Sequence, residues 1–150
     1  MDTVTYSTDA VVNFIKDQIV PMRISAGEEW FYDKFSVIWT PMFFILDYRG
    51  NDIQRTMGFL SPDEFIAFAN LGIAKVRFSN DEYDTATVHL NRIFEHFPDS
   101  DVIPETIYFQ GVVRYKEKND PNKLKAAYET LLDQFPNSGW TKRVEPYRLI

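Results

Sequence analysis

The side chains that carry thiol or redox chemistry are absent from this sequence. None of the 150 residues is a cysteine. Thiolates are the nucleophiles of disulfide exchange and frequent ligands of zinc and iron–sulfur clusters. The chain therefore has no disulfide, no redox-active thiol and no cysteine-bound metal, and as it stands we expect it not to be an enzyme.

The two histidines are the next candidates for chemistry. His89 and His96 are seven residues apart, so a helix would place both on one face. A metal site would need at least a third ligand, with Asp or Glu nearby. A structural role explains both residues more simply, and we expect no metal and no cofactor.

Three carboxylates, Asp47, Asp52 and Asp63, suggest paired acids at first sight. All three lie in segments typical of turns or helix starts, so turn formation and capping explain them. The chain also lacks a Ser/His/Asp order, a phosphate-binding loop and a calcium-loop spacing. We expect no catalytic residues.

Charge and hydropathy limit the partners. The formal net charge is -6, without the basic excess of a nucleic-acid binder. No apolar run approaches the roughly 20 residues of a membrane span. The N-terminal residues lack the basic and apolar regions of a signal peptide. We expect a cytoplasmic protein whose partners include neither nucleic acid nor membrane.

The first third of the chain alternates helix and strand patterns. Ser7-Thr8-Asp9 predicts the start of a helix over residues 9–18. The apolar run Ile19–Ile24 predicts a short strand, at an edge because Pro21 has no backbone donor. A second helix is predicted over Gly27–Phe35. An extended segment follows at Val37–Pro41, because the residue before a proline avoids the helical region.

A hairpin and a long helix come next. Met42–Leu46 is an apolar run typical of a strand buried on both faces. A turn rich in Asp, Asn and Gly joins it to a partner strand over Ile53–Phe59. Ser61, followed by Pro62 and by Glu64 three positions after the serine, predicts a capping box. The helix that begins there shows no stop signal before Ser79-Asn80.

The last part of the chain contains an internal repeat. Glu95–Ser100 matches Asp133–Ser138 at a spacing of 38 residues. Each copy ends an amphipathic helix with Phe-Pro and then supplies Asp-Ser or Asn-Ser to cap the next helix. This pattern predicts an array of helical hairpins. Trp140, Val144, Tyr147 and Leu149 are predicted to form a final helix that covers the second hairpin.

The stretch from about Ile19 to Leu71 resembles the C-terminal part of a thioredoxin-like domain. The residues that carry this resemblance are Trp39-Thr40-Pro41, the strand ending at Leu46-Asp47, Gly50, Arg55 and Gly58-Phe59. In that family the Thr-Pro bond is cis and faces the catalytic cysteines. The resemblance therefore implies a cis bond at Thr40–Pro41, with a role in shape and peptide docking.

The sequence lacks the N-terminal, catalytic part of a thioredoxin-like domain. A family member has two strands, a helix and a Cys-x-x-Cys helix start before the point that Met1–Tyr6 matches. Two explanations account for the missing N-terminal part: a start codon assigned at an internal Met, or a truncation. Because the rest of the family pattern is intact, we favour the internal start codon.

The missing strands have a consequence for the sheet. In the family's strand order, 1-3-2-4-5, the Met42–Leu46 strand loses a neighbour. An apolar open edge is a template for pairing. Either the Ile19–Ile24 strand moves in to cover it or another chain does, and we expect a homodimer.

The stretch from about Phe65 to Pro136 resembles tetratricopeptide repeats. Asp81–Ala86 matches the turn between the repeat's two helices, and Leu90, Ile93 and Pro98 match its later positions. In the second copy, Gly111 occupies the small position that Ala74 occupies in the first, while Asn119–Asn122 makes a non-standard turn. The positions that line the repeat's inner groove imply a peptide-binding surface. They are Lys75, Phe78, Tyr108, Tyr115 and Lys116.

Together these patterns predict an α/β fold. A partial thioredoxin-like sheet with flanking helices, residues 1–72, continues into a tetratricopeptide-like array of α-helical hairpins, residues 62–150, through a shared helix over about 62–78. The expected function is a non-catalytic protein-interaction module with a protein or peptide partner. The alternative is a fragment of a thioredoxin-like thiol–disulfide oxidoreductase whose cysteines lie upstream of Met1.

Overall fold

The chain folds into a mostly helical α/β structure with one small antiparallel sheet. The computed structural model describes residues 1–25 and 27–150. In the described part, the strands Met42–Leu46 and Asp52–Met57 form a hairpin between the helices Glu29–Phe35 and Pro62–Ser79, so the predicted α/β class is observed. The elements are α1 (Asp9–Gln18), α2 (Glu29–Phe35), β1 (Met42–Leu46), β2 (Asp52–Met57), α3 (Pro62–Ser79), α4 (Tyr83–His96), α5 (Ile103–Lys118), α6 (Asn122–Gln134), α7 (Gly139–Val144) and a 3-10 helix (Glu145–Leu149).

Helix α1 begins at the predicted residue, but its start is held differently. Thr8 is the N-cap residue, yet its hydroxyl donates to the Thr5 carbonyl at 2.9 Å instead of accepting from the helix. The Thr5 hydroxyl in turn donates to the Leu60 carbonyl at 2.6 Å. These bonds join the N-terminal segment to the residues just before α3, where Val11 packs with Phe65 and Ile66.

The predicted strand over Ile19–Ile24 is wrong. This segment has no regular structure and pairs with neither β1 nor β2. Pro21 supplies no donor, and Val20 and Met22 are 97% and 69% exposed. An apolar run forms a strand only where a neighbouring strand receives its backbone groups. Among the described residues no such neighbour exists, so the outer edge of β1 is not closed from within the chain.

Helices pack on both faces of the hairpin. The Phe44 ring lies 5.6 Å from Phe31 and 5.3 Å from Phe35 on α2, while Phe43 lies 6.0 Å from Phe65 on α3. All five residues of β1 are nevertheless only half-buried, instead of fully buried as predicted. The unpaired edge of β1 exposes them to solvent.

The hairpin turn is built around Asp47. Its carboxylate accepts from the Asn51 side-chain amide at 2.8 Å, from the Asn51 backbone N–H at 2.9 Å and from the Arg49 backbone N–H at 2.8 Å, and these bonds, the first most of all, lower the Asp47 pKa. Gly50 has a φ of +79°, a conformation that glycine adopts without strain. Met42 lies opposite Met57, the last residue of β2. The register shifts between Ile45 and Leu46, so Leu46 lies opposite Asp52, the first residue of β2.

Helix α3 joins the hairpin to the rest of the molecule. Every residue from Phe65 to Ala74 is buried, because α1, the hairpin and α4 surround the helix. The Ser61 hydroxyl accepts from the Glu64 N–H at 3.3 Å, as half of the predicted capping box requires. The Glu64 carboxylate instead accepts from the Ser100 hydroxyl at 2.8 Å and the Asp101 N–H at 3.1 Å. These bonds tie the start of α3 to the turn before α5.

Four helices after the hairpin form two pairs that repeat one geometry. Phe97 is the C-cap residue of α4, with φ/ψ of -135°/50°, and Phe135 is the C-cap residue of α6, with -135°/54°. Each Phe carbonyl accepts from the serine N–H three residues on, at 3.1 Å for Ser100 and 3.0 Å for Ser138. The side chain of Ser138 caps α7, but α5 begins only at Ile103. The 38-residue sequence repeat is therefore a repeat of backbone structure.

The turn between α5 and α6 has its own geometry. Asn119 has a φ of +50°, and the Asp120 carboxylate accepts from the Asn122 N–H at 3.0 Å. This Asx turn accommodates the extra residues and starts α6. Gly111 on α5 faces helix α6: a Cβ atom there would lie 2.6 Å from the Cβ of Ala127, so the small residue allows α5 and α6 to approach closely.

The C-terminal residues cover the second helix pair. Val144 is 1% exposed, and the Thr141 hydroxyl donates to the Phe135 carbonyl at 2.6 Å. Trp140 stacks on Tyr108 with the ring centroids 5.2 Å apart. The prediction for Leu149 is wrong, because this side chain is 81% exposed on the 3-10 helix.

Candidate functional site

The Thr40–Pro41 end of the hairpin is an exposed, largely apolar surface. The Thr40–Pro41 bond is cis, and both residues are exposed. The Pro41 carbonyl accepts from the Gly58 N–H at 2.9 Å, which brings the end of β2 beside the proline. Exposed apolar side chains flank this contact: Ile38, Trp39, Met57 and Phe59. Clustered exposure of this kind marks interaction surfaces more often than catalytic ones.

Two of the predicted groove residues, Lys75 and Phe78, contact helix α5. The Lys75 ammonium forms an ion pair with the Glu105 carboxylate and lies 5.9 Å from the centre of the Phe109 ring. Phe78 meets Phe109 edge-on with the ring centroids 5.2 Å apart. Helices α3 and α5 are thus held together by one ion pair and one aromatic contact.

The other three predicted groove residues lie further along α5. Tyr108 is half-buried under Trp140, and this burial raises the pKa of its phenol, with Tyr147 adding to the effect. Tyr115 is half-buried and Lys116 is exposed. The five residues therefore lie on two helices, and one of them, Lys75, lines a cavity.

That cavity lies between β2 and helices α3 and α5, and its volume is about 300 Å³. Gln54 reaches into the space from β2 and is only 8% exposed. Its amide nitrogen donates to the Phe68 carbonyl at 3.1 Å, but its Oε1 atom is buried without a hydrogen-bond partner among the described residues. The cavity lining consists of Ile53, Gln54, Arg55, Thr56, Phe68, Lys75, Val102 and Glu105.

A buried acceptor without a donor is costly. Leaving one unpaired costs about 1–3 kcal/mol, and most such groups in folded proteins have partners. Gln54 lines a space that is also lined by a donor, Lys75, and a further acceptor, Glu105. A ligand group that donates a hydrogen bond would satisfy the amide oxygen.

The outer edge of β2 runs beside this cavity. The Gly58 N–H donates to the Pro41 carbonyl, and along β2 the backbone groups of successive residues point alternately toward and away from β1. The backbone groups of Arg55 and Met57 therefore point away from β1. No described strand pairs with this edge. The cavity and the free backbone groups lie together on one strand.

The charged groups around the cavity are largely neutralised. Lys75 pairs with Glu105, and Arg55 pairs with Asp52. The guanidinium of Arg55 also donates to the Phe35 carbonyl at 3.2 Å, so it points to the opposite face of the hairpin. The cavity therefore has polar groups of both kinds and no excess of either charge.

His89 has a structural position. It is 5% exposed between α4 and α3, and its Nδ1 lies 2.9 Å from the Asn70 Oδ1. Burial, followed by the charges of Arg92 and Arg77, lowers the His89 pKa to about 4. His96 is exposed. In residues 1–25 and 27–150, no group of three His, Asp or Glu side chains is arranged to hold a metal ion.

A larger cleft, of about 400 Å³, lies between α4, α5 and α6. Gln110 and Thr130 in its lining already donate, to Asn91 and to the Ala126 carbonyl respectively. Both buried oxygens without a partner in the described residues, Asp52 Oδ1 and Gln54 Oε1, belong to β2 instead. Among the described residues, the lining of the larger cleft therefore contains no buried side-chain oxygen or nitrogen without a hydrogen-bond partner.

Sequence reasoning missed Gln54, Thr56 and Glu105. A polar residue inside a strand pattern is ordinary on a solvated face, so Gln54 gives no local signal.

Comparison with known proteins gives no identification: no protein-family model, no curated protein and no solved structure matches the chain. Within the described part of the chain, no helix is both long enough and apolar enough to cross a bilayer.

Proposed function

We propose that this chain is a non-catalytic protein-interaction module that binds an extended peptide segment of a partner at the cavity between β2, α3 and α5. The observation that carries the proposal is that Gln54, whose buried Oε1 atom has no hydrogen-bond partner among the described residues, lines a cavity together with the Lys75–Glu105 ion pair. Lys75 is the residue that this site shares with the groove predicted from the sequence.

The free edge of β2 favours an extended ligand. An added strand can pair with the backbone groups of Arg55 and Met57, as peptides do when they extend an exposed sheet edge. Side chains of such a strand alternate in direction. One of them would enter the cavity lined by Gln54.

The chemistry of the cavity favours an uncharged side-chain amide, that of Asn or Gln. Its NH₂ group donates to Gln54 Oε1, and its carbonyl accepts from the Lys75 ammonium. A charged side chain would leave one charge unbalanced, because Lys75 and Glu105 already neutralise each other. A volume of about 300 Å³ is ample for one such side chain.

The finer fold assignment belongs to the same proposal. The order of helix, hairpin and buried helix supports a thioredoxin-like origin for residues 1–72. The repeated Phe-Pro helix ends at Phe97 and Phe135, with nearly identical backbone angles, support tetratricopeptide-like hairpins over residues 62–150.

Selection from a displayed random-peptide library tests the function. We expect the enriched peptides to share one Asn or Gln position, and Gln54→Met and Lys75→Met to weaken their binding at least tenfold. Lys116→Met is the matched control, because Lys116 is exposed on α5 outside the cavity lining. Enriched peptides without an amide, or undiminished binding to Gln54→Met, would contradict the proposal, as would the absence of any enriched peptide.

A further inference from the structure

The outer edge of β1 is an unprotected pairing surface. Because Phe43 and Ile45 direct their backbone groups toward β2, alternation directs those of Met42, Phe44 and Leu46 outward. None of these outward groups has a backbone or side-chain partner among the described residues. Natural sheets blunt such edges with charges, proline or bulges, and none of the five residues of β1 is charged or proline.

The sheet has only two strands, and the packing of α2 and α3 on its two faces supports it. A hairpin alone is marginal in water, and a further strand would add to the stability of the sheet. Residues 19–24, which could have added that strand, pair with neither β1 nor β2. A strand that covers the edge would therefore come from outside the described residues.

The geometry points to a second copy of this chain, bound antiparallel through β1 across a two-fold axis at Phe44. An uncharged strand meets no like-charge repulsion when it pairs with itself, and two-fold pairing is the commonest form of self-association. The result is a continuous four-stranded sheet in the order β2-β1-β1-β2.

One register satisfies every outward group. Phe44 pairs with Phe44 of the second copy, and Met42 pairs with Leu46 of the second copy on either side. Each of these pairs exchanges two backbone hydrogen bonds. Any shift of two residues loses one pair of partners, and a shift of one residue brings outward groups against inward ones.

This register also covers exposed aromatic surface. It brings the Trp39–Pro41 end of each copy beside the Asp47–Gly50 turn of the other. Trp39 is 70% exposed and Tyr48 is 75% exposed. Five paired residues alone bury less than a stable interface requires, and these two aromatic contacts per dimer supply additional apolar area.

Sedimentation equilibrium between 1 and 100 µM tests the inference. We expect a mass of about 35 kDa at the upper end, twice the 17.6 kDa of one chain. Met42→Lys places a charge at the paired edge and should raise the dimer dissociation constant at least tenfold. Met57→Lys is the matched control, because Met57 lies opposite Met42 on β2 and away from the outer edge of β1.

Amide hydrogen exchange identifies the interface without a substitution. The N–H groups of Met42, Phe44 and Leu46 should become protected as the protein concentration rises, while the outward N–H groups of Arg55 and Met57 should not. A chain that stays at 17.6 kDa at 100 µM overturns the inference. If Met42→Lys and Met57→Lys raise the dimer dissociation constant equally, the proposed interface is wrong. It is also wrong if the Phe44 N–H is not protected from exchange in the dimer.

Discussion

Gly72 lies where helix α3 crosses strand β1, and replacing it with alanine perturbs the contact that joins the hairpin to the helices. A Cβ atom at this position would lie 2.6 Å from Cγ1 of Ile45, 2.9 Å from its Cβ and 3.0 Å from its Cγ2. These atoms belong to the branched base of the side chain, so a rotation about one bond cannot remove them all. Helix and strand must move apart.

Two opposing terms determine the size of the effect. Overpacking of a tight contact costs about 1–3 kcal/mol, while alanine in place of glycine stabilises a helix by about 1 kcal/mol. Because three atoms of Ile45 would lie within 3.0 Å, the overpacking cost belongs in the upper part of its range, about 2–3 kcal/mol, and we expect Gly72→Ala to lower the free energy of unfolding by about 1–2 kcal/mol. For a domain of this size, that corresponds to a fall in Tm of about 2–8 °C.

Thermal and urea unfolding followed by circular dichroism measure this change. Gly139→Ala is the control, because Gly139 also lies in a helix but has no atom within 4 Å of the position a Cβ would take. It should leave the Tm unchanged or slightly raised.

A double-mutant cycle with Ile45→Ala locates the effect. Removal of Cγ1 and Cγ2 relieves two of the three close contacts with the new methyl group, so the double variant should lose less than the sum of the two single losses, by about 1 kcal/mol. If Gly72→Ala is as stable as the unmodified chain, or if the two losses simply add, then α3 does not pack on β1 as described.

Three further outcomes follow from the same structure. Because the pKa of buried His89 is lowered to about 4 from 6.5, the contribution of His89 to the free energy of unfolding is complete above pH 6.5 and falls by about 3 kcal/mol in total as the pH drops toward 4. His89→Gln should flatten the dependence of the free energy of unfolding, measured with urea, on pH in this window. An unchanged pH profile would refute the assignment of this dependence to His89. Deletion of residues 139–150 uncovers Tyr108 and removes buried Val144, so the Tm should fall by about 4–8 °C, and an unchanged Tm would show that the tail does not cover the array. The chain should not accelerate insulin reduction by dithiothreitol at any pH, because it has no cysteine to form a thiolate; turnover above buffer would contradict this.

Local signals predicted most of the elements. Asp47 and the glycine at position 50 marked the hairpin turn, and Ser61 with Pro62 marked the start of α3, because turns and caps depend on residues a few positions apart. The Phe-Pro repeat likewise predicted two similar helix ends. These features need no information about distant parts of the chain.

Non-local partners explain the failures. Ile19–Ile24 has an apolar pattern typical of a strand, but no second strand lies beside it. The Glu64 carboxylate binds Ser100 and the Asp101 N–H, more than 35 residues away in sequence, instead of closing its own capping box. Leu149 follows a helical pattern, yet the chain ends in a 3-10 helix that turns it to solvent.

The candidate site illustrates the same limit. Lys75 could be singled out from its helix position, but Gln54 and Glu105 join it only after β2 and α5 come together. An unpaired buried oxygen is a property of the folded chain, and no spacing in the sequence encodes it.

The most direct test of the peptide-binding account is a chemical-shift map. The ¹⁵N-labelled chain is titrated with an Asn-containing peptide selected against it, and with the same peptide carrying Asp in place of that Asn. The account predicts the largest shifts at the side-chain amide of Gln54 and at the backbone N–H groups of Arg55 and Met57, with at least tenfold weaker binding of the Asp peptide. Shifts confined to Tyr115 and Lys116 or to the Trp39–Pro41 end, with Gln54 unmoved, would contradict it.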